Sequence, residues 1–166
     1  MALYLYIPNK PGNVTAKGHE KWISIQTLTF NVKRYIATEP GRVNDRESTR
    51  PTISEITLSK KMDESSPLLF SDACVGQSIE EIKIDVCQSG NQLIPYMQYL
   101  FSNVIISYYE VDFNLKPHAS LTAQYPIEKI SLSLDKIEMK YIPFDEQHKP
   151  QSPIPAGYDL RQATLV

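Results

Sequence analysis

Apolar and polar residues alternate in short runs along most of this chain. Leu3, Leu5 and Ile7 alternate with Tyr4 and Tyr6, Ile56 and Leu58 with Glu55, Thr57 and Ser59, and Ile82, Ile84 and Val86 with Glu81, Lys83 and Asp85. A period of two is that of a strand with one wet face. Residues 22–36, WISIQTLTFNVKRYI, form the longest β-prone run. Apolar parity changes there between Ile23/Ile25 and Leu28/Phe30/Val32, which predicts a bulge or bend near Gln26 and Thr27. Two further runs, 93–101 and 104–113, are separated only by Ser102 and Asn103 and fit one bent strand. Pro95 places the first of them at a sheet edge or at a strand's beginning. Ile130, Leu132 and Leu134 have the opposite parity to Ile137, Met139 and Tyr141, so a bulge or hairpin corner around Asp135 and Lys136 keeps both sets on the core. A last short strand is predicted over 158–164. Residues 8–18 and 114–126 read as loops, 88–91 as a turn, and 143–155, with Pro143, Pro150, Pro153 and Pro155, as an irregular excursion.

One stretch, 52–77, breaks this rhythm. Its strand gives way at Lys60 to a polar segment ending at Ser65. Ser66 before Pro67 reads as an N-cap followed by proline at the first helical position. Leu69/Ala73 and Phe70/Cys74 then fall at i,i+4 spacing, and Gly76 supplies a left-handed stop. A helix of about ten residues, Pro67 to Val75, is marginal alone and must dock on something. The sum is seven to nine strands and one short helix, without internal repeat or linker: a mainly β chain, an antiparallel β-barrel or sandwich with one short flanking α-helix, residues 1–166 forming one domain.

Composition adds limits. The chain has 166 residues, 42% of them apolar, enough for a core. Seventeen basic residues against 19 acidic leave a formal charge of −2, which suggests neither a nucleic-acid groove nor a basic membrane surface. MALYLYIPNK lacks a cationic lead and breaks its apolar run at Pro8, unlike a cleaved signal peptide. No apolar run approaches the roughly 20 residues of a membrane helix, and lipidation patterns are absent. Cys74 and Cys87 read as reduced thiols rather than a disulfide. Cys74 shares a helical stripe with Phe70 and reads as core.

No catalytic, cofactor or metal motif emerges. Six glycines form no phosphate-cradling loop. His19, His118 and His148 fall in predicted loops without zinc spacing and read as exposed. His118, Asp112 and a serine can be imagined as a triad, but no strained GxSxG elbow supports it. Asp63 and Glu64 sit where a helix dipole favours negative charge, and Glu80 and Glu81 look like a solvated face. Most of the ten tyrosines lie in β-prone runs, where tyrosine is a half-buried strand residue.

The sharper candidate is the polar stretch 37–51, ATEPGRVNDRESTRP, too long for a hairpin turn. Between 39 and 50 it carries Arg42, Arg46 and Arg50 against Glu39, Asp45 and Glu47, with Asn44 among them. Such a mixed-sign, arginine-rich arm pairs bidentately with carboxylates of a neighbouring subunit. The competing reading is a solvated loop.

Four pieces in order, GHEKWISIQTLTF, ITLSKKMDESSPLLFSDACVGQ, IEEIKIDVCQSG with YMQYLFSNVIISYYE, and EKISLSLDKIEMKYIP with GYDLRQA, resemble the haemolysin-coregulated protein (Hcp) family of type VI secretion systems. The second piece is similar to that family's strand, K-x-x-D-x-S-P-x-L turn and helix. Two departures stand out: 37–51 replaces a glycine-rich segment, and the C-terminal excursion is rich in proline. The resemblance implies a β-barrel with a flanking helix, a homo-hexameric ring and stacked rings forming a tube. It also implies a sheath and a spike as partners, effectors carried inside the tube, and a bacterial cytoplasmic protein expelled without a cleaved signal. The residues themselves point to no enzyme, no cofactor, no nucleic-acid partner and no membrane insertion, and the resemblance fits without adding catalysis. Other readings are a phage-type or other contractile-injection tube protein, and a monomeric ligand-binding β-barrel using its tyrosines.

Overall fold

The two β-prone runs flanking Ser102 and Asn103 are one strand, Pro95–Asp112, 18 residues long. It bends at Asn103, whose φ is +53°. The Asn103 side chain accepts a hydrogen bond from Ser78 and donates one to Asp135, which holds the bend. The structure is a computed structural model and describes residues 1–36, 50–88, 93–113, 126–147 and 149–166. Among the described residues there are eleven strands and one helix: β1 Ala2–Tyr6, β2 Ile23–Thr29, β3 Val32–Arg34, β4 Pro51–Ile53, β5 Ile56–Lys61, α1 Ser66–Val75, β6 Ile79–Cys87, β7 Pro95–Asp112, β8 Ile127–Ser133, β9 Lys136–Tyr141, β10 Ile154–Asp159 and β11 Thr164–Leu165.

The main sheet runs β11-β10-β9-β7-β6-β1-β2-β5-β8, and β8 pairs again with β7. That second pairing closes six strands into an antiparallel barrel. The bend in β7 makes it possible, since residues before Asn103 pair with β9 and residues after it pair with β8. Leu5, Ile23, Ile56, Leu58, Ile82, Ile84, Phe101, Ile130 and Leu132 fill the barrel interior. The bulge expected near Gln26 is present, where the β2–β5 register shifts between Ile25 and Thr27. The chain also turns between β8 and β9 at Leu134 and Asp135, so Leu134 and Ile137 both reach the core.

More strands form than the seven to nine expected. The 22–36 run divides into β2 and β3, and β4 and β11, of three and two residues, are too short for a period of two to register. The single last strand expected over 158–164 is instead β10, which begins within the proline-rich excursion, and β11. Pro155 sits in β10 opposite Lys140. β11 covers only Tyr158 and Asp159 of β10, so Pro155 lies on an open edge, where a missing N–H breaks no ladder.

The helix differs by one residue at its start. Ser65 holds the N-cap position, Ser66 is the first helical residue and Pro67 the second. Gly76 adopts φ +68° and donates its N–H to the Asp72 carbonyl at 2.8 Å, as expected of a left-handed stop. The buried stripe is Leu69, with Ala73 packed beside it, not Phe70 and Cys74. Cys74 is exposed, which corrects its assignment to the core; Cys87 is buried, and both thiols are free.

Candidate assembly surface

Three features outside the barrel interior could carry function. They are the anchored helix, a projecting ribbon with an apolar groove, and a histidine clasp on the barrel's outer face.

The anchor begins with parity. Lys60 shares the inward face of β5 with Ile56 and Leu58, and it pairs in register with Glu128 of β8. Both side chains are 0% exposed. Lys60 Nζ lies 2.5 Å from Glu128 Oε2 and 2.9 Å from Asp63 Oδ1, and donates to Ser66 Oγ at 3.1 Å. Tyr109 donates its hydroxyl to Glu128 Oε1 at 2.5 Å. Asp63 Oδ1 in turn accepts the Ser65 N–H and hydroxyl, and the Asp63 N–H reaches Ser66 Oγ. Burial, and then the Glu128 carboxylate beside it, push the Tyr109 phenol upward. A buried charge tolerates this setting only when it is paired and hydrogen-bonded. The network therefore pins the start of α1 to the barrel end. The expected interruption at Lys60 is corrected: β5 runs through Lys61, and Asp63 serves Lys60 and the turn rather than acting on the helix dipole alone.

With Leu69 inward, the outward side of α1 presents Leu68, Phe70, Cys74 and Val75. Phe70 packs edge-on against Tyr109, 5.8 Å between ring centroids, yet stays 56% exposed. Ser71 is exposed among them, and Asp72 pairs with Lys10.

The ribbon is the β3–β4 pair, with Val32 opposite Ile53 and Arg34 opposite Pro51. Val32, Tyr35 and Ile36 are exposed on it, Tyr35 at 78%. Facing the ribbon is the flap of β9, β10 and β11, which runs past barrel closure. On the flap's inner side Ile137, Met139 and Tyr141 stand opposite Tyr158, Ala156 and Ile154. Cover fades along that row, from Ile137 at 4% exposed to Tyr141 at 45%. Between ribbon and flap lies a groove of about 290 Å³, lined by Phe30, Val32, Ile53, Met139, Tyr158 and Leu165 among others. The flap strands approach closely at Gly157, where a Cβ would stand 3.0 Å from the Ile137 carbonyl oxygen.

The third feature corrects the reading of His19 as exposed. Residues 8–22 fold back over the outer face of β1. Gly12 passes so near β2 that a Cβ would meet the Trp22 carbonyl oxygen at 2.5 Å. His19 is buried between Tyr4 and Trp22, with both ring centroids 4.8 Å away. Its Nε2 bonds Asp85 Oδ2 at 2.8 Å, and Gln98 donates to Asp85 Oδ1. Cys87 Sγ lies 3.9 Å from the same nitrogen. A thiol, imidazole and carboxylate thus meet, but not as a nucleophilic centre. Burial, and then the Asp85 charge, raise the Cys87 thiol to about 11, and the imidazole nitrogen facing it is already engaged. The cluster is a clasp for the 8–22 strap. Sequence could not assemble it, because 66 residues separate His19 from Asp85.

Of the arm residues, Glu39, Arg42, Asn44, Arg46 and Glu47 lie outside the described residues, as do His118 and His148. Arg50 is exposed, immediately before β4 where the ribbon returns. Among the described residues, no helix is long and apolar enough to cross a membrane, and no three His, Cys, Asp or Glu side chains are grouped to hold a metal ion.

Residues 4–141 match the family described as type VI secretion system effector, Hcp. No curated protein matches the chain. Among solved structures, one described as a type six secretion system protein superposes with a TM-score of 0.88 at 22% identity, covering 99% of both chains. Hcp1 from Salmonella typhimurium superposes at 0.74 with 17% identity, covering 99% of this chain and 98% of that one. A type VI secretion system effector from Yersinia pestis gives 0.70 at 20% identity over 95% and 98%. At these identities the superpositions establish the fold.

Proposed function

Because the chain belongs to the Hcp family of type VI secretion system effectors, we propose that residues 1–166 form one tube subunit of such a system. Six copies close into a ring, and rings stack into a hollow tube. The observation that carries the reading is the open apolar surface outside a completed barrel, on the flap, the ribbon and the outward side of α1. A monomer rarely leaves several such faces uncovered. They differ in shape, so they suit a head-to-tail contact, which closes a ring when the rotation permits.

In this reading Glu39, Arg42, Asn44, Arg46, Glu47 and Arg50 form an arm that reaches the next ring or the neighbouring subunit. Sheath and spike proteins are the outer partners and effectors ride in the lumen. The protein waits in the bacterial cytoplasm and leaves by expulsion of the tube, and no step requires catalysis. The ligand-binding alternative gains nothing from the fold, because core side chains occupy the barrel interior. Negative-stain electron microscopy of the purified protein tests the proposal. Six-fold rings or tubes are the expected result, and single globular particles at all concentrations would overturn it.

A further inference from the structure

We propose that ring closure seats the outward side of α1 from one copy in the ribbon–flap groove of the next, an inference that rests on the ring reading above. The argument starts from the helix. Leu69 and Ala73 already take up its barrel side, and Leu68, Phe70 and Val75 remain exposed on the rest. Three large apolar side chains left exposed on a ten-residue helix mark a contact surface, and the barrel covers only the opposite side. The groove is the complementary shape, concave and lined almost wholly by carbon, with Val32, Met139 and Leu165 at its walls. A helix laid into an apolar groove is a common mode of recognition.

Charge gives the same pairing. The described residues of the ribbon and its base, 30–36 and 50–53, carry Lys33, Arg34 and Arg50 and no acid. Residues 62–76 carry Asp63, Glu64 and Asp72 and no base. Asp63 and Asp72 lie in ion pairs within the chain with Lys60 and Lys10, and Glu64 stands exposed at the head of the helix. Glu64 set against Arg50 fixes which way the helix lies in the groove.

Cys74 reports on this contact directly, being exposed on α1, while Cys87 is buried. In full-length Leu165→Cys protein, a short bismaleimide should join Cys74 of one copy to position 165 of the next and give a ladder ending at the ring. Adding Cys74→Ser should abolish the ladder. Val32→Cys, on the opposite wall, should behave alike. Rings visible by light scattering without a Cys74-dependent ladder from either probe would overturn this inference and leave the ring reading standing. Unmodified protein that stays single at every concentration would overturn both.

Discussion

The six strands of the barrel and the three of the flap obey one alternation rule, yet their apolar rows end differently. In β5 and β8 the inward residues Ile56, Leu58, Ile130 and Leu132 are fully covered, because the sheet curves round and meets itself at β7. In β9 and β10 the same pattern continues past that meeting, and cover fades toward Tyr141 and Ile154. Alternation says which residues seek a dry surface. It does not say whether their own chain supplies one. The barrel is the part whose apolar row is covered within the chain, and the flap is the part whose row stays open.

The sharpest way to break the barrel half is through the fully buried Lys60–Glu128 ion pair. Lys60→Met strands Glu128 in the barrel end and should cost about 3–5 kcal/mol, read as a lowered urea midpoint. Lys60→Met with Glu128→Leu should recover part of that loss, because the fully buried carboxylate is gone and Asp63 keeps its hydrogen bonds from Ser65. A double variant as unstable as the single one would mean that the network does more than neutralise itself.

A smaller effect is expected in alkali. Cys87 is raised to about 11 in the folded protein, so the folded state holds its thiol proton more tightly than the unfolded chain does. Its contribution is fully present below the ordinary thiol value of 9.0 and is lost as pH rises through about 11. Cys87→Ser should therefore flatten the fall in thermal midpoint across that window relative to the native chain. In the folded protein a thiol reagent should label Cys74 quickly and Cys87 only on unfolding.

The flap should answer in the opposite way. Ile154→Ser with Leu165→Ser removes side chains 61% and 86% exposed, so folding stability should move by about 0.5 kcal/mol or less while assembly weakens. Loss of folding stability would place those residues in the barrel's account instead. Smallest of all on the fold, reversing charge at Arg42, Arg46 and Arg50 should leave the thermal midpoint unchanged and reduce tube assembly. Undiminished assembly would remove the arm's role.

Much of this division was legible before any coordinates. The bulge at Gln26, the bend at Asn103, the corner at Asp135 and the stop at Gly76 each left a mark, either a parity change or a residue tolerant of left-handed backbone. Lys60 and Glu128 were not legible, since both keep the inward parity of their strands but polarity there reads as the end of a strand. Cys74 could not be placed because α1 is apolar on more than one side. Only docking decides that Leu69 rather than Phe70 meets the barrel. His19 required the sheet itself, which brings Asp85 of β6 opposite Tyr4 of β1 and under the strap. The open apolar row was the least visible, because an apolar residue left exposed is written like one already buried.

Hydrogen exchange compared between dilute single subunits and the assembled fraction tests the central claim most directly. The account predicts that barrel peptides from β5, β6 and β8 exchange slowly in both. Peptides covering Val32–Arg34 and Ile154–Asp159 should become slow only on assembly. Equal exchange of those two segments in both fractions, with rings present, would contradict it.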